Sequence, residues 1–154
     1  MVHIRPIQPE DEALFAPFVA ALTPDDARFR FFVPLKELSH ERAAEFTHLD
    51  YAHAMAFIAL DETSGEMLGV ARLHDIAGEA GEYAIIVRSD LKSHGLGWQL
   101  MQVLIAYARA KGLRAIEGRV LHANNSMLDM CRHLDFALAN DLKDASICIV
   151  RLKL

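Results

Sequence analysis

An apolar strand that hands over to a helix through a glycine-bearing turn leaves few folds open, and this chain carries such a join at residues 82–112. The run Glu82-Tyr83-Ala84-Ile85-Ile86-Val87 leads through Arg88-Ser89-Asp90-Leu91-Lys92-Ser93-His94-Gly95 into an amphipathic helix. Leu96, Leu100, Val103, Leu104 and Tyr107 recur on one face of that helix, and Gly112 stops it. Gly95 and Gly97 let the backbone approach a ligand closely, and the free N–H groups of a helix start favour phosphate or pyrophosphate. A glycine-softened helix start that binds nothing is the alternative reading. Leu100 stands where a Gly-x-Gly-x-x-Gly dinucleotide fingerprint needs its third glycine, and no Gly-Lys-Ser/Thr follows.

Around this join the chain alternates element types. Residues 3–7 read as an edge strand, because Pro6 cannot donate to a sheet ladder. A helix then starts at Pro9, with Leu14, Phe15, Phe18, Val19 and Leu22 as its apolar face. Thr23-Pro24-Asp25-Asp26 opens a second short helix, and Ser39-His40-Glu41-Arg42 opens a third that ends near Asp50. Strands at 55–60 and 67–74 flank a hairpin connection, and Gly78-Glu79-Ala80-Gly81 leads into 82–87, giving three consecutive antiparallel strands. A strand at 114–121 follows, then a helix over 124–134 with Met127, Met130, Cys131 and Leu134 inward, and strands at 136–139 and 146–152. The sum is one α/β (α+β) domain over residues 1–154, with a mixed, mostly antiparallel sheet of about seven strands and four or five helices. A hydrophobic content of 53% supports one core of that size.

Charge and cysteine usage remove several function classes. Sixteen Lys+Arg against 21 Asp+Glu give a net charge of −5 with no basic stripe, which predicts no nucleic-acid partner. The longest apolar runs are far too short for a bilayer span, so no membrane partner is expected. Two cysteines, Cys131 and Cys148, and no cleavable signal pattern point to a reducing, cytoplasmic location. The eight histidines form no His-x-x-x-His pair and there is no Cys-x-x-Cys, so no metal site is predicted.

Lys92-Ser93-His94-Gly95-Leu96-Gly97 resembles the acyl-CoA-binding motif of the GNAT acetyltransferases, Gln/Arg-x-x-Gly-x-Gly/Ala, in the strand-to-helix position that motif occupies. Downstream, Asn124-x-x-Met127-x-x-Met130-Cys131-x-x-x-Asp135-Phe136 resembles the family's Asn-x-x-Ala…Gly-Phe helix. Nearly the whole chain is similar to the GNAT domain of bacterial Pat-type protein lysine acetyltransferases. The most specific part is Arg30-Phe31-Phe32-x-Pro34-x-Lys36-Glu37-Leu38-Ser39-His40-Glu41, supported by Arg5-Pro6-Ile7, Asp50-Tyr51 and residues 82–90. In those proteins the domain follows an acyl-CoA-synthetase-like region that these 154 residues do not contain.

The resemblance implies a GNAT fold, acetyl-CoA as acyl donor without a metal, and a primary amine as acceptor, first of all a protein lysine. A small-molecule amine acetyltransferase and a non-catalytic acyl-CoA sensor are the other two readings. Ile86, Val87, Lys92, Ser93, His94, Gly95, Leu96, Gly97, Trp98 and Asn124 are the expected acyl-CoA contacts, and a backbone N–H near Val87 is the expected oxyanion donor. Asn124 has a plain alternative as an N-cap. A lysine of pKa near 10.4 is about 4.6 kcal/mol from its neutral form at pH 7, so a general base is the largest demand. Glu82 fills that role, directly or through one water, with Glu79 three residues away as competitor. Cys131 stands where many relatives place the Tyr that protonates the thiolate, and it reads as a buried thiol. Asp135 replaces a glycine at a turn out of a helix, which predicts local strain. Phe29, Phe31, Phe32 and Trp98 read as core, with a substrate groove as the alternative.

Overall fold

Alternating apolar and small residues between Ala54 and Val87 build the centre of a sheet that organises the whole molecule. A computed structural model describes residues 1–31, 53–74, 78–92 and 94–154. Its strands are β1 (Val2–Pro6), β2 (Ala54–Asp61), β3 (Met67–His74), β4 (Ala80–Val87), β5 (Ala115–Leu121), β6 (Ala137–Asn140) and β7 (Ile147–Lys153). Among the described residues they form one seven-stranded sheet in the order β1-β2-β3-β4-β5-β7-β6. Every neighbouring pair is antiparallel except β4 with β5. The helices are α1 (Phe15–Ala20), α2 (Pro24–Phe31), α3 (Leu96–Lys111) and α4 (Asn125–His133). The helix expected at 39–50 lies outside the described residues.

The sheet is covered on both faces. One core joins Leu68, Ala71 and Leu73 of β3 to Leu100, Met101 and Leu104 of α3, and continues to Leu128 and Cys131 of α4. The other packs Phe15, Phe18 and Leu22 against Ile58, Val70 and Ile86. The buried face of α3 differs from the expected one: Met101, Ile105 and Ala108 are inside with Leu96, Leu100 and Leu104, whereas Val103 and Tyr107 lie half-buried at its flank. Tyr107 there meets the edge of Phe57, ring centroids 5.8 Å apart. Because α3 lies across both β3 and β4, its contact stripe is wider and turned relative to a single i, i+4 row.

The first predicted helix is two elements. Pro9–Leu14 is a 3-10 turn, and α1 starts afresh at Phe15. Pro17 explains the restart, since the first turn of an α-helix needs no N–H donor there. Asp11 fixes the turn to β1. Its buried carboxylate accepts from Arg5 at 2.7 and 2.8 Å and from the Gln8 N–H at 2.7 Å. The Arg5 guanidinium therefore holds the carboxyl below its usual range, against the opposing effect of burial. A lowered folded value means this stabilisation is complete above the unfolded pKa near 3.9 and is lost as pH falls through the folded one. Asp11→Asn is expected to flatten the acid limb of the stability curve, measured by urea unfolding between pH 6 and pH 2.

Asp135 has φ 66°, the left-handed value anticipated for that turn out of α4. No helix among the described residues is long and apolar enough to cross a membrane.

Candidate active site

The site begins where two central strands part. β4 and β5 pair over three positions only, Ala80 with Ala115, Gly81 with Ile116 and Glu82 with Glu117. Beyond Glu82 the strands diverge. The Arg88 N–H donates to the Leu68 carbonyl at 2.8 Å, so the antiparallel alternation turns the N–H groups of Ala84 and Ile86 toward β3 as well. Those of Ile85 and Val87, past the last β4–β5 pairing, face the opening. Of the two expected acyl-CoA contacts on this strand, Val87, the expected donor, thus has its N–H on the open side, while Ile86 turns its N–H to β3 and contributes apolar wall.

Tyr83 stands at the branch. A Cβ on Gly118 of β5 would lie 2.2 Å from its Cε1, so only glycine lets the ring sit between the strands. The ring meets Phe136 edge-on at 6.0 Å, and its hydroxyl lies 3.3 Å from the Cys131 sulfur. Burial pushes both the Tyr83 phenol and the Cys131 thiol upward, so both are protonated core groups near neutral pH. Cys131 is a buried thiol, as expected.

The opening continues into a cleft of about 740 Å³, a volume typical of small-molecule sites. The β4 strand forms its floor from Glu82 to Val87; α2, the start of α3 and α4 form its walls. At the α3 wall, Gly95 takes φ 82°, no side chain caps the helix, and the first intrahelical bond runs from the Gln99 N–H to the Gly95 carbonyl. The N–H groups of Leu96, Gly97 and Trp98 are left without a partner in the helix, at its positive end. At the α4 wall, Asn124 Oδ1 accepts from the Met127 N–H at 3.3 Å. The N-cap role is therefore real, and the residue also faces the cleft. Met127 and Met130 are half-buried cleft residues, whereas Leu128 and Cys131 fill the core. Cys131 is inward as expected, and Met127, Met130 and Leu134 pack half-buried against the same core, so the helix serves two surfaces.

Glu82 is exposed, lines the cleft, and faces His74 across the β3 ladder. Glu79 is exposed on the strand approach, 3.8 Å from Arg114, and takes no part in the lining. Val87, Lys92, Gly95, Gly97 and Trp98 line the cleft with Ile86 and Asn124. Leu96 points its side chain into the core, His94 is exposed and off the wall, and Ser93 lies outside the described residues. Two aromatic residues read as core belong to the wall instead: Phe29 is half-buried and Trp98 is 41% exposed. The cleft interrupts the packing that their apolar spacing suggested. Phe32 and the side chain of Phe31 fall outside the described residues.

Asp26 and Tyr83 are among the cleft residues with no earlier functional assignment. Asp26 is buried in the first turn of α2, where its charge suited the helix start and nothing marked its burial. Burial alone would raise its carboxyl, yet bonds from Lys92 and Ser89 hold it below its usual range. Among the described residues no three His, Cys, Asp or Glu side chains gather as metal ligands.

Comparison with known proteins bears on what this arrangement does. The family model described as Acetyltransferase (GNAT) family matches residues 21–136. An acetyltransferase of Pseudomonas aeruginosa is 34% identical over 99% of this chain and 84% of its own length. An L-methionine sulfoximine/L-methionine sulfone acetyltransferase of the same species is 32% identical over 55% of this chain and 52% of its own. The crystal structure of the GNAT domain of S. lividans PAT superposes with a TM-score of 0.91 at 23% identity, covering 99% of this chain and 90% of that one. The yncA acetyltransferase of Salmonella typhimurium, solved with acetyl-CoA, superposes with a TM-score of 0.77 at 15% identity over 100% and 94% of the two chains.

Proposed function

Since the chain belongs to the GNAT family of acetyltransferases, we propose that it moves an acetyl group from acetyl-CoA to a primary amine, that the amine is a protein lysine, and that Glu82 is the general base. One observation carries this reading: an open strand edge, an uncapped helix start and a cleft-facing carboxylate meet around one cavity. The N–H groups of residues 96–98 suit a diphosphate, and the open edge of β4 suits an extended amide-bearing arm. The apolar wall of Ile86, Met127 and Met130 suits its methylene groups.

Each residue then has one task. Glu82 accepts the proton of the incoming ammonium, directly or through one water. The Val87 N–H, on the open side of β4, donates to the thioester oxygen as negative charge develops there. A thiol of pKa about 8.5 leaves readily as the thiolate, so the reaction tolerates a buried Cys131 where relatives place a Tyr. The protein-lysine acceptor is supported by the sequence resemblance to Pat-type enzymes. The local match to a sulfoximine acetyltransferase supports a small-molecule acceptor as the second reading.

Protein incubated with acetyl-CoA and lysine-bearing protein acceptors is expected to release CoA thiol and to yield acetyl-lysine by mass spectrometry. Release with polyamines or free amino acids alone would overturn the protein acceptor and leave the small-molecule reading.

A further inference from the structure

We propose that Lys92 works as a strut: clamped by Asp26, it fixes the first turn of α2 against the 89–92 turn and so positions the diphosphate end of the cleft. The inference rests on the acetyl-CoA reading above and assigns Asp26 as a positioning residue. Its ground is a closed set of bonds across 66 residues of sequence. Lys92 Nζ donates to Asp26 Oδ1 at 2.6 Å, and Ser89 Oγ donates to Asp26 Oδ2 at 2.5 Å. Ser89 Oγ in turn accepts from the Thr23 N–H at 2.8 Å, and Thr23 Oγ1 accepts from the Asp26 N–H at 3.2 Å. The Lys92 ammonium also stands 6.0 Å from the centre of the Phe29 ring on the same helix.

Two features make this more than a surface ion pair. Asp26 is 8% exposed, so releasing Lys92 would leave a buried carboxylate short of a partner. Asp26, Phe29 and Lys92 all line the cleft, so movement of α2 away from the turn changes the cleft itself. Position 92 opens the acyl-CoA motif, where a cation is most simply read as a phosphate ligand. With Asp26 at 2.6 Å, its charge is already balanced, and the pair adds little net field for a diphosphate.

The two roles predict opposite signs. If Lys92 were a phosphate ligand, Asp26→Asn would free a cation, remove an anion, and tighten CoA binding. As a strut, Asp26→Asn and Lys92→Met each weaken CoA binding about tenfold. The double variant is no worse than either single one, because both remove the same contact. Lys92→Arg restores most of the affinity. Titration calorimetry with CoA, and with pantetheine as a probe lacking the diphosphate, separates positioning from general loss of structure. The strut predicts that pantetheine affinity stays within twofold. CoA affinity equal to or above wild type in Asp26→Asn overturns it, as does an equal loss for pantetheine. Wild-type protein with no affinity for CoA overturns the acetyl-CoA reading instead, and this inference falls with it.

Discussion

A Glu82→Gln enzyme is expected to turn over about 10²- to 10⁴-fold more slowly than wild type while binding CoA with unchanged affinity. The substitution keeps the shape of the side chain and removes only its ability to take a proton. The strand around it is held by backbone bonds, in register with His74 on β3 and Glu117 on β5, so the floor of the cleft stays in place. Steady-state turnover alongside CoA titration checks both halves. Retained turnover would move the base elsewhere, and lost CoA affinity would make Glu82 a structural residue. A wild-type protein that binds CoA but acetylates no amine would favour the acyl-CoA sensor.

The largest effect on stability is expected from Gly118→Ala, which should cost about 3 kcal/mol in urea unfolding. The added Cβ would meet Tyr83 at 2.2, 2.7 and 2.8 Å along one edge of its ring. That ring cannot swing aside cheaply, since Phe136 and Cys131 hold its far side. The double variant Gly118→Ala/Tyr83→Leu should recover part of the loss, because the smaller side chain removes the clash. Wild-type stability in Gly118→Ala would mean that the branch of the sheet does not depend on this contact.

Local pattern carried most of the architecture and little of the site's inner wiring. The strand expected at 67–74 has those bounds, and Gly112 ends α3 in the left-handed conformation a glycine stop implies. Both follow from periodicity and turn chemistry within a few residues. The join at 82–112 likewise disclosed its uncapped helix start, because glycine at the N-cap offers no side chain. By contrast, the burial of Asp26 depends on Ser89 and Lys92, and the place of Tyr83 depends on Gly118. Such pairs are set by how elements dock, and no spacing within one element encodes them. The turned face of α3 has the same origin, since two strands beneath it decide which residues are covered.

The parting of β4 from β5 also bears on how this sheet avoids unwanted partners. Sheets ordinarily carry their unsatisfied backbone at the rim, where another chain can add a strand. Here the rims are brief: β1 has five residues and ends in Pro6, and β6 has four. A further stretch of backbone without a strand partner on one side opens indoors, at Ile85 and Val87, between the walls made by α2 and α4. A foreign strand would have to prise those helices apart to reach it, whereas a slender arm enters along the cleft. The sheet is thus left one strand short on the inside, and whatever completes it shares in holding the domain together, with a contribution that grows with its concentration.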